Sequence, residues 1–149
     1  MIKRLAIAAL IVASPAFGQG IDPLIGTWKL NLEKSTSTGP LPSQTITFTR
    51  DGPNIVNNGE GLDAQGQPYK FVFQHIYDGQ PHPSSGIANY DSSTFTRIGN
   101  TVNVVRFKNG KTVEVAQYIL DPGKTYSGHA EGVAVNGQPY HFNWVYDRQ

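Results

Sequence analysis

No cysteine occurs anywhere in the 149 residues. A disulfide framework, a lipid-modified N-terminal cysteine and a thiol nucleophile are therefore excluded, and stability must come from an ordinary core. Charge is also scarce, at 15% of residues, and nearly balanced, with twelve Lys and Arg against eleven Asp and Glu. That balance argues against a nucleic-acid partner, which needs a basic surface. No window sustains the i, i+3, i+4 spacing of an amphipathic helix. A G-x-S-x-G nucleophile elbow and a Gly-rich phosphate loop are absent too. The one long apolar run, Leu5 to Ala13, is far short of the roughly twenty residues that span a bilayer as a helix. Lys3 and Arg4 precede it, and small residues at Ala16 and Gly18 follow it, the pattern of a Sec-type signal peptide over residues 1–18 with cleavage after Gly18. The expectation is an exported protein, periplasmic or extracellular, with one domain over 19–149 and no stable membrane insertion. Without Lys3 and Arg4 the twelve basic residues become ten against eleven acidic ones.

What the chain does contain is an internal repeat. Glu60 to Phe71 reads EGLDAQGQPYKF and Glu131 to Phe142 reads EGVAVNGQPYHF, a spacing of 71 residues, and each copy closes on a Tyr-Asp pair, Tyr77-Asp78 and Tyr146-Asp147. A unit this long is half a domain, which points to a pseudo-symmetric sheet built from two related sets of hairpins. Short runs rich in Val, Ile, Thr, Tyr and Phe alternate with turn signals along the rest of the chain. They predict strands over 26–33, 43–50, 55–64, 68–77, 94–98, 101–108, 111–120, 125–135 and 138–146, with a further short one possible at Ile87 to Tyr90. The stretch 34–42 holds two prolines and reads as a loop, as does 80–93. Asn109-Gly110 and Asn136-Gly137 supply the positive φ that type I′ hairpins require. The fold class is all-β, an antiparallel up-and-down barrel of about 8–10 strands, because closure removes the edges an open meander would leave.

Two aromatic stripes follow from the period of two. Tyr69, Phe71, Phe73, His75 and Tyr77 share one face, as do Tyr140, Phe142, Trp144 and Tyr146. The plain reading is that they fill a core. The functional reading is that they line a pocket for an apolar or ring-containing ligand. Glu60 falls in register with Val56 and Leu62, and Glu131 with Val133 and Val135, which would set two carboxylates on inward faces, where such groups serve as general acids or ligand anchors. The alternative is a solvated residue near a hairpin end. His129 and Glu131 form a His-x-Glu pair, but His75, His82 and His141 have no ligand spacing, so neither a metal nor a cofactor is expected. Arg106, in register with Val102 and Val104, is a candidate anchor for a ligand carboxylate, as are Arg50 and Arg97. Each could equally reach solvent from a strand end.

At Asp22 to Leu32, DPLIGTWKLNL, the chain resembles the opening strand of the calycins, the lipocalins and fatty-acid-binding proteins, whose first strand carries G-x-W, here Gly26-Thr27-Trp28. It is also similar, over nearly all of residues 19–149, to a set of exported bacterial proteins sharing this opening, the Lys34-Ser35 step and the closing Tyr-Asp; that similarity carries no activity with it. The calycin resemblance implies a barrel, a ligand pocket and a late basic residue packed on the motif Trp, for which Arg148 is the late candidate. It lacks the helical pair of the fatty-acid-binding proteins, and no Arg-x-Tyr anchor lies near Trp144 to Tyr146.

These readings converge on an exported lipocalin-like binder of a hydrophobic or aromatic small molecule, more a carrier than an enzyme. Its expected pocket residues are Trp28, Tyr69, Phe71, Phe73, Tyr140, Phe142, Trp144, Glu60, Glu131 and Arg106. The alternatives are a barrel enzyme using Glu60, Glu131 or His129 as acid and base, and a non-catalytic envelope module whose interior is filled and whose loops make the contacts.

Overall fold

The computed structural model describes residues 22–121 and 124–149; the signal peptide expected over residues 1–18 lies outside them. The strands are β1 (Gly26–Leu30), β2 (Thr36–Ser37), β3 (Ser43–Asp51), β4 (Asn54–Leu62), β5 (Pro68–His75), β6 (His82–Ser85), β7 (Ser92–Ile98), β8 (Thr101–Lys108), β9 (Lys111–Asp121), β10 (Thr125–Val133) and β11 (Pro139–Arg148). From β3 onward each pairs antiparallel with the next. β1 pairs with β3 on one side and with β11 on the other, which closes the barrel. β2 continues β1 along the same edge of β11, so eleven strands occupy ten positions around the wall.

The first strand is shorter than its alternation implies. It ends at Leu30, and Asn31 turns the chain outward by accepting hydrogen bonds at Oδ1 from the Glu33 and Lys34 amides, which leaves Leu32 50% exposed. The short strand expected at Ile87 to Tyr90 is instead β6, at His82–Ser85, bridging β5 and β7 through two residue pairs on each side. Asn109-Gly110 forms the expected two-residue turn, with φ of 50° and 75°. Asn136-Gly137 does not, since only Gly137 has positive φ, at 82°. Here the Ala134 amide bonds the Gln138 carbonyl and the Gly137 amide bonds the Ala134 carbonyl.

That second turn copies the first half of the chain. The Asp63 amide bonds the Gln67 carbonyl, the Gly66 amide bonds the Asp63 carbonyl, and Gly66 has a φ of 76°. The repeat is therefore a pair of equivalent hairpins, β4–β5 and β10–β11. In both, a glycine faces a tyrosine across the ladder (Gly61 with Tyr69, Gly132 with Tyr140), and Gly59 with Phe71 is matched by Ala130 with Phe142. A side chain would collide with the ring where that ring lies over the neighbouring strand, and at Gly61 it would collide with the Ser43 carbonyl of β3 instead. A Cβ at Gly59 would sit 1.9 Å from the Phe71 ring, and one at Gly128 2.6 Å from that of Trp144.

One end of the barrel is sealed. Leu24 and Trp28 are fully buried, and the Trp28 indole N–H donates to the Leu24 carbonyl at 2.7 Å. The Arg148 guanidinium lies 4.4 Å from the Trp28 ring centroid and donates to the Ile25 and Pro23 carbonyls at 3.0 and 2.7 Å. The packing implied by the calycin resemblance is thus present. It also explains the motif glycine: Gly26 has a φ of 135°, and a Cβ there would lie 2.6 Å from an Arg148 nitrogen. Arg97 ties the same end down through Asp22, at 2.6 Å.

Candidate functional site

The aromatic stripes do point inward, yet they do not fill the barrel. They line a cavity of about 920 Å³, within the range of roughly 300–1,000 Å³ that holds small molecules. Tyr69, Phe71 and Phe73 form a stacked row on one wall, with centroids 6.2 and 4.8 Å apart. Phe142 and Trp144 make the matching row from the second copy, 5.2 Å apart. Tyr126 and Tyr146, stacked at 4.6 Å, line the deep end. Toward the other end the lining passes to exposed residues of the two repeated turns, Asp63 to Gln65 and Val135 to Asn136, and to Pro40. These form the mouth, so each copy of the repeat supplies one wall and one lip.

One polar cluster interrupts the apolar lining. Arg106 on β8 forms an ion pair with Glu114 on β9, the Tyr140 hydroxyl donates to the other carboxylate oxygen, and the Asn89 amide donates to the Tyr140 oxygen at 3.2 Å. The guanidinium lies 4.7 Å from the Tyr90 ring centroid and 5.7 Å from that of Phe73. Glu114 is buried and Arg106 nearly so. Deeper in the lining, His75 is wholly buried, stacked on Phe95 at 4.2 Å with its Nδ1 3.0 Å from the Tyr118 hydroxyl. Burial, aided by the charge of Arg106, pushes its pKa down to about 3, so its imidazole is neutral. Burial also raises the Tyr69 phenol to about 12, with Asp63 adding to the effect. Three buried polar atoms of the lining have no partner among the described residues: Arg106 Nε, Asn57 Oδ1 and His75 Nε2.

Of the ten residues expected in the pocket, seven line it: Tyr69, Phe71, Phe73, Tyr140, Phe142, Trp144 and Arg106. Trp28 does not. It belongs to the sealed end, edge-on to Tyr126 at 5.3 Å, beneath Arg148. Glu60 and Glu131 point outward and are exposed, with Glu60 paired to Lys70 at 3.5 Å. The inward parity on β4 belongs to Ile55, Asn57 and Gly59, and on β10 to Tyr126, Gly128 and Ala130. His129 shares the outer face, so the acid–base set proposed from the sequence is not gathered at the cavity. Arg50 is exposed, and Arg97 serves the sealed end. Sequence reading passed over Glu114, although it keeps the parity of Ala116, Tyr118 and Leu120, all buried on β9. Among the described residues no group of three or more His, Asp or Glu is placed to hold a metal ion.

A closed antiparallel barrel with an aromatic hollow and a Trp–Arg seal defines a calycin-like fold. No family model matches the chain, and no curated protein matches it in sequence. Solved structures match it over most of their length. A fatty acid transporter aligns with a TM-score of 0.60 and 13% identity, covering 85% of this chain and 96% of its own. Fatty-acid-binding protein 1 of Echinococcus granulosus aligns at 0.57 and 11%, covering 86% and 98%. Human cRBP IV aligns at 0.52 and 13%, covering 87% and 100%. At these identities the similarity establishes the fold.

Proposed function

We propose that this protein is an exported carrier that holds a hydrophobic or aromatic small molecule inside its barrel. The observation that carries the reading is the hollow itself, about 920 Å³, walled by two aromatic rows, one stacked and one tilted, with the Arg106–Glu114–Tyr140 cluster as its charged group. A core selected only for stability would close such a space, because an apolar wall with nothing against it forfeits dispersion contacts on one side. Two of the similar barrels are named for fatty acids, one as a transporter and one as a binding protein, which agrees with an elongated apolar guest. Export is read from residues 1–18.

The test is native mass spectrometry of the protein purified from its own host, compared with the same sample after denaturation and refolding. A reproducible added mass that disappears on unfolding is the expected result, and it hands over the ligand. Identical masses in both states, with no thermal shift from any apolar compound tried, would sink the carrier reading. The same spectrum tests export, since cleavage after Gly18 leaves a chain that begins at Gln19.

A further inference from the structure

Arg106 would be an obvious magnet for a ligand carboxylate if its charge were free. It is already matched. One guanidinium nitrogen is committed to Glu114, and the second Glu114 oxygen is occupied by the Tyr140 hydroxyl. The pair brings one positive and one negative charge to the lining, and His75 adds none. Among the described lining residues the remaining charge is Asp63, a carboxylate at the exposed rim. A carboxylate ligand would shed its hydration and meet Glu114 along with Arg106, with no net positive charge to receive it. A neutral polar end has a better position. It brings no charge that needs a partner, and two groups of lining residues left without one among the described residues, Arg106 Nε–H and Asn57 Oδ1, are a donor and an acceptor buried behind the cavity surface.

We propose that the cavity selects neutral ligands, long apolar or ring-containing molecules ending in an ester, ketone or alcohol, over the corresponding carboxylates, because Glu114 supplies the counter-ion that a ligand carboxylate would otherwise provide. This rests on the carrier reading above and narrows it to a ligand class. It makes Glu114 the specificity-determining residue of the pocket, acting through Arg106.

The probes are cis-parinaric acid and its methyl ester, which share one fluorescent polyene and differ in the charge of one end. With the purified protein at pH 7.5, the ester is expected to bind about tenfold tighter or better, the least that an added like charge should cost. Glu114→Gln should bring the acid to parity with the ester or beyond it, with ester affinity little changed. Wild type offers the same test from the ligand side should that variant fail to fold. On lowering the pH toward 5, affinity for the acid should climb toward that for the ester as its carboxyl protonates, while the ester titration stays flat. Equal or tighter binding of the acid at pH 7.5 overturns the selectivity and leaves the carrier reading standing. No fluorescence enhancement with either probe overturns the proposed ligand class, and the native masses then decide the carrier reading separately.

Discussion

His75 is the residue whose chemistry the fold alters most. An unfolded histidine titrates near 6.5, whereas here burial and Arg106 hold the pKa down to about 3. The folded state refuses a proton that the unfolded state accepts across that window, so stability present above pH 6.5 is lost progressively as the pH falls toward 3. Urea unfolding at a series of pH values should show one proton of linkage between those limits, and His75→Gln should remove it while costing stability at neutral pH. An unchanged slope in the variant would mean that the acid sensitivity arises elsewhere. His75 was legible in the sequence because it sits in step with Phe71 and Phe73. Glu60 and Glu131 were misread because glycine carries no hydrophobic signal. The inward positions on β4 and β10 include Gly59, Gly128 and Gly132, where a Cβ would meet the ring of Phe71, Trp144 or Tyr140, and Gly61, where it would meet the Ser43 carbonyl of β3. Val56, Leu62 and Val133 lie on the outer face and supplied a false parity. Glu114 was hidden for the opposite reason, since a buried carboxylate looks like an exposed one until its partners on β8 and β11 are in place.

Among the elements, hairpins were the most readable, because a turn is written in a few adjacent residues. The two Asn-Gly steps nevertheless differ, and the difference is measurable. Asn109 itself holds a φ of 50°, whereas at the second step only Gly137 is in the left-handed region. Gly110→Ala and Gly137→Ala should each cost roughly 1–2 kcal/mol for forcing a Cβ into that conformation. Asn109→Ala should approach the same cost while Asn136→Ala falls well below it, as equilibrium unfolding of the four variants would report. Equal losses at the two asparagines would contradict the assigned turn geometry. The least readable stretch was 80–93. Ile87 and Tyr90 look like a strand because they are apolar and spaced, but their burial comes from facing the cavity out of a loop. A local pattern records that a side chain is buried and leaves open whether a ladder or a hollow buries it.

For the whole molecule, the question that alternation leaves open is whether the interior is full, since filled and hollow barrels share the same inward positions. Ala116 on β9 and Ala130 on β10 face each other across the ladder, and both line the cavity. Among the larger Glu114, Tyr118, Phe142 and Trp144 of the same lining, two adjacent methyl groups leave room unfilled. Ala116→Leu therefore separates the readings by the sign of its effect. In a hollow barrel the added carbons gain contacts at no steric cost, so the ligand-free protein should be more stable by about 0.5–2 kcal/mol, as cavity-filling changes are. Binding of methyl parinarate should fall at the same time, because the volume and one wall are shared with the ligand. In a filled envelope module the same change would overpack the core and cost about 1–3 kcal/mol. Thermal unfolding of wild type and variant, each with and without the ester, measures both effects. Higher stability joined to weaker binding is the outcome expected of a carrier that keeps its hollow at the expense of its own stability, whereas a destabilised variant that still binds would place the ligand somewhere other than the barrel interior.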